Sequence, residues 1–207
     1  MQASVMVSIP TFDGSIKSLT AESIGNAVEY AESHGVLERV VHRNVGGYGV
    51  ARARNLMARN ALDEGVDFLW MVDSDMVVPE DALYRLLDAD ADVCTGWAVR
   101  GSSDDGTTSV IKFGGQGYHD SYGAAHLAAM DDDLVAVKGN GMACALIRTD
   151  VFRRFPAPWF VYVDHPDGSA LGEDYYFCQQ CASRGVKIWV DPRVGCGHIK
   201  ERVLEAM

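Results

Sequence analysis

The chain has 207 residues, with 18 Lys and Arg against 29 Asp and Glu, for a formal charge of -11. That length suits one domain with a substantial core, and the acidic balance excludes diffuse binding to a phosphate backbone as the main source of affinity. An odd count of cysteines (Cys94, Cys144, Cys178, Cys181 and Cys196), scattered through apolar segments, argues against a secreted disulfide framework.

The first residues carry neither a basic stretch nor a long apolar run, and no later segment approaches the ~20 apolar residues that a membrane helix needs. A soluble cytoplasmic protein with no membrane partner is expected.

In chain order, residues 5–9 read as a first strand closed by Pro10-Thr11, and a helix follows from about 20 to 33. A second strand lies within 36–44, a second helix spans 50–64, and a third strand occupies 67–73. This β-α-β-α-β alternation argues for a parallel sheet with helices on both faces, because parallel strands need crossover connections.

Between the second strand and second helix, Gly46-Gly47-Tyr48-Gly49 has the outline of a dinucleotide fingerprint, but Arg52 stands where the third glycine belongs. No G-x-x-x-x-G-K-[ST] loop occurs. Arg43, Arg52, Arg54 and Arg59 concentrate positive charge here and either meet a nucleotide phosphate or form a solvated helix face.

The third strand carries the most information. Phe68-Leu69-Trp70-Met71-Val72 is apolar throughout, as a central buried strand should be, and it ends abruptly in Asp73-Ser74-Asp75. In open α/β sheets, ligands bind beyond the carboxyl ends of the strands. Side chains two apart on an extended chain point the same way, so the two carboxylates would repel each other unless a cation compensates them. Mn²⁺ and Mg²⁺ take oxygen ligands of this kind together with substrate phosphates. The plain alternative is an acidic turn that caps the next helix.

Pro79 opens a short helix to residue 87, and a strand follows over 92–99. Residues 101–133 are rich in glycine and aspartate and read as a loop, a candidate lid or acceptor loop. Strands return at 134–138 and 142–147, a short helix starts at Thr149, 159–163 reads as a strand, a helix runs over 173–184, and a last strand spans 187–190.

Three late groups remain. Glu173-Asp174 stands at a helix N-terminus, where the helix dipole alone favours negative charge. His198 ends Gly195-Cys196-Gly197-His198. Cys178, Cys181, Cys196 and His198 have the ligand types of a Cys₃His zinc site, although Cys178 and Cys181 fall inside a helix where small thiols pack well.

Taken in order, Ser8-Ile9-Pro10-Thr11, Ala53-Arg54-Asn55, the run from Phe68 to Met76, Gly139-Asn140-Gly141, Pro158-Trp159-Phe160, Gly172-Glu173-Asp174-Tyr175 and Gly195-Cys196-Gly197-His198 resemble the GT-A glycosyltransferases. The likeness is strongest to the small soluble, family 2-like enzymes of phages and bacteria, and it covers nearly the whole chain. It implies a single GT-A domain with a mixed, mostly parallel sheet and flanking helices, in which 1–100 bind the nucleotide sugar and 101–207 form the acceptor side. It also implies a nucleoside-diphosphate sugar as donor and Mn²⁺ or Mg²⁺ as cofactor, with Asp75, His198 and Asp73 as metal residues. Pro10, Thr11, Arg54, Asp73, Ser74, Trp97 and Gly141 would contact the donor, with Arg100 beside Trp97. Asp174 would be the catalytic base and Glu173 its supporting neighbour.

The hydroxyl acceptor stays open among a saccharide, a metabolite, a protein and a modified DNA base, and so does inversion against retention. A phage-encoded enzyme would work in the host cytoplasm. A nucleotidyltransferase on a related α/β core and a non-catalytic zinc or nucleotide-binding module are the competing readings.

Overall fold

The computed structural model describes residues 2–100, 106–114, 120–130 and 134–200. The first half contains β1 (Ala3–Ser8), β2 (Pro10–Thr11), α1 (Ser18–Ser33), β3 (Leu37–His42), β4 (Val45–Gly46), α2 (Val50–Glu64), β5 (Phe68–Val72), β6 (Met76–Val77), α3 (Ala82–Asp88) and β7 (Val93–Trp97). The second contains β8 (Thr107–Lys112), β9 (Ser121–Gly123), α4 (Ala124–Ala128), β10 (Val135–Gly139) and β11 (Cys144–Arg148). A 3-10 turn (Thr149–Arg153) leads to β12 (Val163–Asp164), β13 (Ala170–Leu171), α5 (Glu173–Ala182), β14 (Ile188–Gly195) and β15 (Gly197–His198).

Nine strands form one sheet in the order β3-β1-β5-β11-β7-β14-β10-β8-β9. Strands β3, β1, β5, β7, β14 and β8 point one way, and β11, β10 and β9 the other, so the sheet is mixed with one dominant direction. Alternation along β5 explains how both faces are covered. Leu69 and Met71 join Ala53, Met57, Ala58 and Ala61 of α2 on one side, while Phe68, Trp70 and Val72 join Ile24, Ala27 and Val28 of α1 and Leu83 and Leu86 of α3 on the other. Each such large side chain taken from water contributes about 1.5–3 kcal/mol, and the apolar run of β5 is what makes this strand central.

Three expectations need correction. Residues 101–133 are not all loop: Thr107–Lys112 pairs with β10 and buries Val110 and Ile111, and Thr108 Oγ1 donates to the Tyr122 carbonyl at 2.7 Å. Gly101, Gly115 to Gly117 and Asp131 to Asp133 lie outside the described residues. Residues 159–162 are buried in part but form no strand. The Asn55 side chain takes the Trp159 and Phe160 N–H groups at 2.7 and 3.2 Å and donates to the Phe160 carbonyl, so one side chain replaces a neighbouring strand. The last long strand runs on to Gly195, because Pro192 falls where the ladder to β7 is already irregular.

Candidate active site

Beyond the carboxyl ends of β1, β5 and β7 the structure opens into a cleft of about 390 Å³, continuous with a second of about 270 Å³ through the shared residues Val50, Asp73 and Asp75. Pro10, Thr11, Phe12, Tyr48 and Ser74 line the smaller one. Arg54, Arg100, Gly141, Glu173, Asp174 and His198 line the larger.

The chain builds the pair at its floor through two short strands. Asp73 continues the ladder by donating its N–H to the Ala143 carbonyl at 2.9 Å, and the chain then turns into β6. Strand β6 pairs with β15, matching Met76 to His198, and the Ile199 N–H donates to the Asp75 carbonyl at 2.9 Å. His198 is thereby carried across 123 positions of sequence to Asp75, with Nε2 at 3.1 Å from Oδ2.

The other ring nitrogen fixes the tautomer. Nδ1 lies 3.0 Å from the Val99 carbonyl oxygen, which can only accept, so the hydrogen sits on Nδ1. In the neutral ring the Nε2 lone pair then faces a carboxylate lone pair, and a proton or a cation is needed between them. A carboxylate oxygen opposite an imidazole whose second nitrogen is held by a carbonyl is a mixed donor set that Mn²⁺ tolerates better than Mg²⁺ does. Among the described residues no group of three or more His, Cys, Asp or Glu side chains is arranged to hold a metal ion, so donor phosphates and water would have to complete the coordination of an ion there.

Asp73 does not share that pair. Its carboxylate accepts from Arg54 Nη2 at 3.0 and 3.2 Å, while Arg54 Nη1 is bonded to Glu173 Oε1. Arg54 is 3% exposed and projects from the buried stripe of α2. Burial opposes its charge, but Asp73, Glu173 and Asp174 outweigh that and hold the guanidinium above its ordinary range. Arg54 is therefore a buried clamp between the strand end and α5, and not a freely offered phosphate ligand.

Glu173 is spent on this clamp, and its charge adds to burial in pushing the nearby Tyr162 hydroxyl up to about 12. Asp174 faces the cleft. Burial, and then the neighbouring Glu173, raise its carboxyl from an ordinary 3.8 to about 6, against the pull of Arg54. Gly141 lies close by: a Cβ there would come within 2.9 Å of Ser109 Oγ and 3.6 Å of Asp174 Oδ2. Asn140 holds the loop beneath, donating to Thr95 Oγ1 and the Gly96 carbonyl and accepting from Ser109, each at 2.8 Å.

Trp97 does not line either main cleft. Its indole N–H donates to the Pro192 carbonyl at 2.7 Å, and the ring covers Gly195, where a Cβ would lie 2.9 Å from it. Ala98, Val99 and Arg100 take the wall instead. The zinc constellation is not assembled either. All five cysteines are free, and Cys178 and Cys181 pack into the core on one face of the sheet. Cys196 packs on the other face, with its thiol donating to the Val194 carbonyl at 3.8 Å.

Sequence reasoning missed Phe12, 84% exposed, and Tyr48, 38% exposed, both at the smaller cleft. It also missed Tyr162 at Glu173 and Lys200, whose Nζ lies 3.5 Å from Asp75 Oδ2. The available signal was position: Phe12, Tyr162 and Lys200 each follow a quoted motif by one or two residues, and Tyr48 lies inside the run from Gly46 to Gly49.

A cleft at the strand ends, floored by a carboxylate and an imidazole and walled by a carboxylate of raised pKa, belongs to the GT-A class of transferases. Residues 13–155 match the family model described as Glycosyl transferase family 2, and the chain belongs to that family. It is a glycosyltransferase, and membership of the family implies a nucleotide-sugar donor and an acceptor. The solved structure titled "Crystal Structure of A197 from STIV" aligns with a TM-score of 0.63 at 14% identity, covering 97% of this chain and 87% of that one, which shows the fold. A search of curated proteins finds no match. Among the described residues, no helix is long and apolar enough to cross a membrane.

Proposed function

We propose that this glycosyltransferase is divalent-metal-dependent and moves a hexose or pentose from a nucleoside-diphosphate sugar to a hydroxyl acceptor by direct displacement. The observation that carries the reading is the pair Asp75–His198 facing Asp174 across one cleft. Residues 1–100 supply the donor half, and 101–207 the acceptor half, with His198 crossing back to the donor side.

Pro10, Thr11, Phe12 and Tyr48 hold the nucleobase and ribose in the smaller cleft, where the two exposed rings offer stacking faces. Ser74 and Asp73 lie where the two clefts meet, beside the sugar and phosphates. Asp75 and His198 would hold Mn²⁺ or Mg²⁺, which when bound supplies positive charge to the departing diphosphate. Gly141 keeps the floor bare, so that the sugar can approach Asp174.

Asp174 removes the proton of the acceptor hydroxyl as its oxygen bonds to the anomeric carbon. The bond from that carbon to the diphosphate oxygen breaks, and its electron pair leaves with the nucleoside diphosphate. A carboxyl at about 6 is ionised at neutral pH yet basic enough to take a proton. Arg54 keeps Glu173 out of this role by holding it as a partner. The cytosol, with its nucleotide-sugar supply and reducing conditions, suits this chemistry and the five free thiols.

A panel of sugar nucleotides incubated with Mn²⁺ tests the reading. One donor should release nucleoside diphosphate in a reaction stopped by chelation, and Asp174→Asn should bind that donor while losing about 10²- to 10⁴-fold of acceptor-dependent transfer. Full turnover in chelator would contradict it.

A further inference from the structure

Asp75 Oδ2 has two nitrogen groups beside it, an imidazole and an ammonium. His198 Nε2 stands 3.1 Å away and Lys200 Nζ 3.5 Å away, on the same oxygen. The hydrogen bond from the Ile199 N–H to the Asp75 carbonyl pins the backbone one residue before the lysine. The Lys200 side chain itself is 47% exposed, so the ammonium is tethered beside Asp75, at the edge of the cleft, on a stem that can swing. Two of the nearby arginines are committed: both terminal nitrogens of Arg54 hold carboxylates, and Arg52 lies over the Tyr48 ring at 4.4 Å, while Arg100 lines the wall of the same cleft.

We propose that Lys200 is a further catalytic residue, which neutralises Asp75 while the donor site is empty and moves to the donor's diphosphate when the site fills. This rests on reading Asp75 and His198 as the divalent-ion site. An ammonium and a divalent ion compete for one carboxylate oxygen, because like charges a few ångström apart repel. On leaving Asp75 the ammonium donates to the phosphate oxygens, including the one that accepts the electron pair of the breaking glycosidic bond. Lys200 thus lowers the affinity for the ion alone and raises the affinity for the diphosphate.

That opposition is measurable without turnover. In Lys200→Met, Mn²⁺ titrated alone and followed by electron paramagnetic resonance should bind about 5-fold more tightly, because a nearby positive charge is gone. In the same variant, calorimetric binding of a nucleoside diphosphate panel (uridine, guanosine, cytidine and adenosine) should weaken by about 5- to 10-fold for the diphosphate that wild type prefers. Lys200→Arg should restore the diphosphate affinity. Unchanged or weaker Mn²⁺ binding, or an unchanged diphosphate affinity, would overturn the proposal. Asp75→Asn separates the two readings: if it too leaves Mn²⁺ binding intact, the metal site itself is misplaced, whereas its loss of Mn²⁺ binding alongside a silent Lys200→Met condemns the lysine alone.

Discussion

Asp174 and Glu173 are adjacent carboxylates at one helix start with different environments. Glu173 is 5% exposed and neutralised by Arg54, whereas Asp174 faces the cleft with its carboxyl raised to about 6. The titratable and charged groups that face Asp174 are Glu173 and Arg54, acting in opposite directions. Acceptor-dependent transfer should therefore fall as pH drops through about 6, since the protonated carboxyl cannot take a second proton. Stability moves the other way for this group. Its folded value exceeds the ordinary 3.8, so the folded chain binds the proton more tightly; the resulting stabilisation is complete below about 3.8 and is lost as pH rises through about 6. Rate profiles and urea midpoints measured on the same protein across pH 4 to 8 check both signs. A flat rate profile across pH 5 to 7 would remove Asp174 from the role.

At the scale of elements, the site depends on connections that lack regular structure. The stretch from Trp159 to Tyr162 reads as a strand because it is aromatic and apolar, yet Asn55 of α2 satisfies its backbone. A short apolar run signals burial, and it cannot tell a ladder from a polar side chain that imitates one. Asn55→Ala leaves the Trp159 and Phe160 N–H groups without that acceptor and should cost about 2–3 kcal/mol in a urea titration. A loss under ~0.5 kcal/mol would show that the segment is held by burial alone. The strands β6 and β15 were equally illegible. Two residues each carry no periodic signal, although their pairing is what delivers His198 to Asp75. By contrast, β5 and the stripe of α2 were legible, because length, apolar run and helical spacing all agreed there.

Across the whole molecule, the sheet order separates what neighbours in sequence from what neighbours in space. Strand β11 inserts antiparallel between β5 and β7, which sets the Gly141 to Ala143 turn beside the end of β5. No sequence pattern announces such an insertion, so the Gly139–Gly141 turn was placed only by family likeness. The same topology explains why Trp97 lies away from the two main clefts. It ends β7 within the expected site, but β14 runs alongside and Gly195 offers its ring a flat seat. Asp73 and Asp75 take different partners for a related reason: the i, i+2 rule assumes extended geometry through Ser74, whereas the chain turns there, so Asp73 meets Arg54 from α2 and Asp75 meets His198.

The central claim is that a divalent ion sits between Asp75 and His198 when the diphosphate is bound. Crystals soaked with Mn²⁺ and the preferred nucleoside diphosphate would show it by anomalous scattering. The expected result is one strong peak within bonding distance of both Asp75 Oδ2 and His198 Nε2, bridged to the diphosphate. A peak elsewhere, or diphosphate bound in that cleft with no peak at the pair, would contradict the account.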